Sequence, residues 1–222
     1  FWSLVLAVLS PTAGAVDMAE RVKPCEACHG SQGRAGPDGY YPRLAGKPAG
    51  YLYNQMENFS QGRRRYHLMR RMMEPLSPQY QLEMAEHFAS LQVPYLPSQA
   101  ASNPTNSPSM LRGRQLAIEG DAAGKIPACN SCHGSQLMGQ APHVPSLLGL
   151  PAAYLGAQLS AWTQGERSTA APDCMAEIAK RLTAEDAAAV TAWLAAQVVP
   201  NSTALGKANN TQPPATNIRC GS

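Results

Sequence analysis

The chain aligns with itself, and this constrains it more than any other feature. Cys25-Glu26-Ala27-Cys28-His29-Gly30-Ser31-Gln32 recurs as Cys129-Asn130-Ser131-Cys132-His133-Gly134-Ser135-Gln136. The segment from Pro42 to Leu52 recurs from Pro145 to Leu155, Gln61-Gly62 recurs as Gln164-Gly165, and Leu76-Ser77 recurs as Leu182-Thr183. The offset runs from 103 (Pro42 to Pro145) to 106 (Leu76 to Leu182). That period is a whole small domain rather than a solenoid unit. The 222 residues therefore read as a duplicated domain. The first unit spans 17–97 and the second 109–199. Residues 98–108 (SQAASNPTNSP) form a polar, Pro-bearing linker, and 200–222 an irregular tail rich in Asn, Thr and Pro.

Within each unit the local signals are helical. Residues 49–60 place Leu52, Gln55, Met56 and Phe59 on one face, and Val190, Trp193 and Leu194 repeat at helical spacing. Ser77 and Thr183 are N-cap candidates, and Glu185 sits early in its helix, where the dipole favours it. No alternating strand pattern stands out, so the expected class is all-α, with short helices joined by Gly/Pro loops. Aromatics are only 6% of the chain, so the units lack the large side chains that usually fill a core. Something else is expected to fill it.

The repeated motif says what. C-x-x-C-H is the attachment signature of c-type haem. One helical turn presents two thiols to the porphyrin vinyl groups, and the adjacent His turns to the iron. A zinc site would want further Cys or His partners at finger spacing. His67, His87 and His143 do not repeat. A redox dithiol would want strand–helix alternation, which is absent. The expectation is two covalent haems, held by Cys25 and Cys28 and by Cys129 and Cys132, with His29 and His133 as proximal iron ligands. The distal ligands are expected at Met69 and Met175, each seven residues before the repeated Leu at 76 and 182. A thioether is a soft ligand that raises the potential. Met56 and Met84 read as core filler, and Met138 lies too close to His133 to cross the haem.

With both motifs, the Pro-x-Leu-x-Gly segments at Pro42 and Pro145, the Tyr-Leu pairs followed by Gln55 and Gln158, and the paired methionines, residues 17–200 resemble cytochrome c4. That family is periplasmic and dihaem, with two class I cytochrome c domains. The resemblance implies a tandem pair of such domains packed face to face with the haem propionate edges close together. It also implies that the carbonyls of Pro42 and Pro145 receive Nδ1–H of His29 and His133. The arginine-rich segment near Met69, the extra Cys174 and Cys220, and the tail depart from the family pattern.

Residues 1–16 are uncharged, with an apolar run from Phe1 to Leu9 and a small-x-small site at Ala13-Gly14-Ala15. They read as an export signal or, if retained, as an N-terminal membrane tether, which places the protein in the periplasm. In an oxidising compartment Cys174 and Cys220 most simply form a disulfide. The sharper alternative brings Cys174 to the iron as a thiolate. Arg63, Arg64, Arg65, Arg70 and Arg71 bracket Met69 and would pair with propionates, dock an acidic redox partner, or form a solvated face. A net charge of +3 argues against a nucleic-acid binder.

The expected function is electron transfer rather than catalysis, because two six-coordinate haems leave no open iron position. The donor would be a quinol–cytochrome c reductase or a dehydrogenase, and the acceptor a terminal oxidase. The alternatives are a fixed cytochrome subunit of a membrane-bound dehydrogenase or respiratory supercomplex, and a dihaem enzyme such as a thiosulfate dehydrogenase or peroxidase.

Overall fold

A computed structural model describes residues 17–36, 39–95, 106–200 and Cys220. The N-terminal segment expected to be a signal or tether, and most of the expected linker and tail, lie outside these residues. Among the described residues there are ten α-helices and no strand, only isolated bridges. The first half holds α1 (Met18–Arg21), α2 (Lys23–His29), α3 (Ala49–Ser60), α4 (His67–Met73) and α5 (Pro78–Ser90). The second holds α6 (Pro108–Ile118), α7 (Cys129–His133), α8 (Ala152–Thr163), α9 (Cys174–Ala179) and α10 (Ala184–Ala195).

The expected caps form. Ser77 Oγ accepts from Tyr80 N at 3.2 Å at the start of α5, and Thr183 Oγ1 from Asp186 N at 3.0 Å at the start of α10. Each such bond satisfies an otherwise orphaned amide and is worth ~1 kcal/mol. Helix α6 begins at Pro108, inside the stretch read as linker. Ser107 caps it and Pro108 occupies its first turn, where a missing N–H costs nothing.

In the first half α3 packs on α5, around Val22, Leu52, Met84, Ala85 and Phe88. In the second α10 crosses α6 and packs on α8, around Leu116, Leu137, Met138, Leu155, Val190 and Leu194. Met84 is thus core, as its helical spacing implied, and Met138, read only as too close to His133 to cross the haem, lies in the second core.

The halves meet through equivalent residues. Arg64 pairs with Arg167 in an antiparallel bridge. Arg65 N donates to Glu166 O, and Ser168 N to Arg63 O, both at 2.7 Å. With the repeat offset of 103 these two bonds are mates of one another, so a near two-fold relation connects the halves. At one edge Tyr51 N donates to Pro142 O at 3.2 Å, and Asn54 Nδ2 lies 3.3 Å from His143 Nδ1. Tyr95, at the end of the first half, packs on the second core.

Candidate functional site

In the first half α2 carries Cys25, Cys28 and His29 on its last turns. It stops because Gly30 takes φ 75°, a left-handed value that side chains resist. The chain then folds back so that Ala35 N donates to His29 O at 2.8 Å. A Cβ on Gly30 would lie 2.4 Å from Ala35 O, so only glycine allows this turn. His29 is 6% exposed, and its Nδ1 lies 2.8 Å from Pro42 O. A carbonyl can only accept, so Nδ1 carries the hydrogen and the Nε2 lone pair is left for a metal. Burial pushes the ring's pKa down; the bond to Pro42 works against this, and Arg64 reinforces it. Burial also raises the Cys25 thiol. Arg43, next to Pro42, donates to the carbonyls of Ala45, Val93 and Pro94 and stacks on Tyr95, which fastens the Pro42 loop.

The second half repeats this. Gly134 ends α7 at φ 83°, and Gly139 N donates to His133 O at 2.8 Å. His133 is 8% exposed, with Nδ1 2.8 Å from Pro145 O. Burial lowers its pKa first, against the pull of Pro145, and nearby Lys47 lowers it further. Burial pushes the Cys129 thiol up to about 11. Its Sγ lies 3.7 Å from Leu116 O.

A cavity of about 970 Å³ gathers Cys25, Cys28, His29, Pro42 and Met69 of the first half. Met69 stands on α4, and neighbouring Met72 also lines the space. Met175 stands half-buried on α9, which packs on α8, and is not among the residues of the second core. Asp173 caps α9, accepting from Ala176 N at 3.0 Å. Cys174 is bonded to Cys220, so the disulfide expectation holds and Cys174 has no free thiolate to offer an iron.

The sequence reading missed the centre of the molecule. The cavity extends into the second half, where Tyr154, Gln158 and Arg167 line it. Arg64 donates to Gln55 Oε1 at 2.9 Å and to Gln158 Oε1 at 2.7 Å. Arg167 donates to the same two atoms, at 3.0 and 2.8 Å. Arg167 is 5% exposed, stacks on Trp162, and leaves its Nε without a partner. Burial, then repulsion from Arg64, lowers its pKa to about 10. Arg167, Arg64 and Lys47 overcome burial to bring Tyr51 down to about 8. Arg64 is therefore an interface residue, separate from the exposed Arg65, Arg70 and Arg71. The signal was available, since Arg64 and Arg167, like Gln55 and Gln158, stand at the repeat offset.

These residues fit a c-type haem. The cavity is large and apolar, two thiols and an imidazole face it, and the imidazole is fixed from behind. Its charged lining is lopsided. Among the described residues Arg43, Lys47, Arg64, Arg65, Arg71 and Arg167 stand against one carboxylate, Glu166. A flat apolar group bearing two carboxylates suits such a space.

The comparisons agree. The cytochrome c family model matches residues 111–197. The thiosulfate dehydrogenase electron acceptor of Thiomonas intermedia (strain K12) is 39% identical over 184 residues, covering 82% of this chain and 83% of the relative. Cytochrome c4 of Pseudomonas aeruginosa is 32% identical over 173 residues, covering 77% and 82%. The chain belongs to the cytochrome c4 family. A solved thiosulfate dehydrogenase from Marichromatium purpuratum superposes with a TM-score of 0.65 at 33% identity. That match covers 77% of this chain but only 36% of the larger one. As a member of the cytochrome c4 family the chain is an all-α dihaem cytochrome that binds its c-type haems covalently, of the electron-carrier class.

Proposed function

We propose that this cytochrome works in the periplasm, accepting electrons from a dehydrogenase and passing them singly to a terminal oxidase or similar acceptor. Its iron ligands are His29 with Met69 in the domain 17–97, and His133 with Met175 in the domain 109–199. The thioether links form at Cys25, Cys28, Cys129 and Cys132, and Pro42 and Pro145 hold the proximal rings. The observation that carries this reading is the placement of Met69 in the same cavity as His29, Cys25 and Cys28. A histidine and a thioether would together hold a haem iron there and leave it no position for substrate. The thioether favours Fe(II), which suits an acceptor of electrons.

The donor we favour is a thiosulfate dehydrogenase, because the relative from Thiomonas intermedia is named as an acceptor for that enzyme. A quinol-oxidising complex is the alternative donor. A fixed-subunit role is supported by the solved thiosulfate dehydrogenase, in which a cytochrome like this one is about a third of a longer chain. A retained N-terminus would tether the protein in the same sense.

The test mixes the oxidised dihaem protein with thiosulfate, with and without a thiosulfate dehydrogenase, and follows haem reduction by stopped flow. Reduction that requires the dehydrogenase is expected. Multiple turnovers of thiosulfate by the cytochrome alone, or rapid cyanide binding by the resting protein, would show an open haem and an enzyme instead.

A further inference from the structure

Two tyrosines that the electron-carrier reading leaves unused face each other across the first pocket. Tyr40 and Tyr66 both line the cavity, and their hydroxyl oxygens lie 3.1 Å apart. Tyr40 is 60% exposed, so the pair stands at the mouth. The two residues belong to opposite walls. Tyr40 is on the loop that leads into Pro42, the partner of His29 Nδ1. Its ring meets Tyr41 edge-on at 4.9 Å, and Tyr41 meets the His29 ring at 6.0 Å. Tyr66 is the N-cap of α4, and its carbonyl accepts from Arg70 N at 2.9 Å. Met69 follows three residues later. The hydroxyl pair thus joins the wall of the proximal ring to the start of the helix that carries the proposed distal ligand.

That helix is fixed at its two ends, by the bond of Arg65 N to Glu166 O before it and by the burial of Met73 at its close. Between these points Leu68 and Met72 are exposed. Burial therefore contributes little there, and a side-chain bond across the mouth counts for more. The repeat shows that the pair is not a demand of the fold. At the offset of 103 the matching residues are His143 and Thr169, and neither carries a phenol. Their side chains bond elsewhere: His143 Nδ1 lies 3.3 Å from Asn54 Nδ2, and Thr169 Oγ1 donates to Ala170 O. We propose that Tyr40 and Tyr66 are positioning residues that clasp the mouth of the first pocket, holding Met69 at the iron and slowing the entry of outside ligands.

The inference rests on the reading of Met69 as the distal ligand, and the test separates the two. Tyr66→Phe, which keeps the ring and loses the hydroxyl, is prepared as the dihaem protein. Cyanide binding to the oxidised protein is followed by stopped flow well below the unfolding temperature, where a general loss of stability does not register. A small anion reaches the iron only when the thioether leaves it, so the rate reads the opening of the pocket. Met69→Ala, which should remove the Met–Fe(III) band of the first haem, identifies that haem in the spectrum. One hydrogen bond in a water-exposed position shifts an opening equilibrium by about two- to tenfold. The expected result is cyanide binding faster by that factor at the first haem and unchanged at the second. Tyr40→Phe removes the same bond from the other side, and is read alone if Tyr66→Phe does not fold. Added to Tyr66→Phe it should change nothing further.

Unchanged rates, or equal acceleration at both haems, would overturn the clasp, and so would additive effects of the two variants. A Met69→Ala protein that keeps both Met–Fe(III) bands would instead count against the ligand assignment above.

Discussion

The crossing of α6 and α10 offers a sharp test of packing, because one glycine there touches backbone. A Cβ on Gly113 would lie 2.2 Å from Ala189 O and 2.7 Å from Trp193 Cβ. Carbon atoms pack best at ~3.5–4.0 Å, so the helices would have to part by more than ~1 Å at this point. The obstacle is a helix carbonyl, which cannot swing aside as a side-chain tip could. Gly113→Ala gains ~1 kcal/mol in helix propensity and loses ~1–3 kcal/mol or more to overpacking. The upper part of that range applies where backbone is struck, so the net expectation is a destabilisation of ~1–2 kcal/mol. For a unit of this size that lowers the melting temperature by ~5–15 °C. Gly156, inside α8, is the control, since among the described residues a Cβ there meets nothing within 4 Å outside its own helix. Gly156→Ala should stabilise by up to ~1 kcal/mol. Thermal unfolding of the dihaem protein, followed by far-UV circular dichroism, reads both variants. Opposite signs are expected, and a neutral or stabilising Gly113→Ala would refute the helix contact.

Other residues are open to similar tests. Met175→Ala should remove one of two Met–Fe(III) bands and lower one potential, and Met69→Ala should do the same to the other; an effect from Met72→Ala in place of Met69→Ala would shift the ligand by one helical turn. Neutralising Arg65 and Arg71 should slow reduction by an acidic partner and flatten its salt dependence, because exposed charges steer encounter over ~8 Å at physiological ionic strength. Arg64 is unsuited to that test, since it bonds across the halves. Arg112 bonds Asp186 Oδ1 and Asp121 Oδ2, each at 2.7 Å, and so ties α10 to the end of α6. Asp186 is held below the usual carboxylate range chiefly by Arg112, and Asp121 by Gly124 N–H and then by Arg112. Depressed carboxylates add stability above their unfolded pKa of ~3.9 and lose it as pH falls through the folded values. Acid melts of the second half should therefore steepen below about pH 4, and Arg112→Leu should weaken that acid dependence.

What could be read from the chain followed from its duplication. The helix at 49–60, the caps at Ser77 and Thr183, and the core role of Met84 came from periodicity and cap chemistry, which act over a few residues. The approach of His29 to Pro42 and of His133 to Pro145 was implied by family resemblance, and both appear at 2.8 Å. The pairing of Cys174 with Cys220 joined residues 46 apart that no local rule connects. The Arg64–Arg167 contact was expected nowhere, although the repeat offset relates the two residues, because the local pattern gives no sign that they meet. An arginine beside two others in sequence reads as part of an exposed cluster. Only the docking of the halves turns Arg64 inward, onto Gln158. The start of α6 was missed because a Ser-Pro pair ends a polar stretch as readily as it opens a helix.

The central claim is that this chain holds two six-coordinate His/Met haems and exchanges electrons through them. A potentiometric titration of the purified dihaem protein, watching the Met–Fe(III) charge-transfer band, tests it most directly. The account predicts two one-electron steps, each accompanied by loss of band intensity, with no high-spin ferric signal at the start. A single step, or a high-spin haem in the resting oxidised protein, would contradict it.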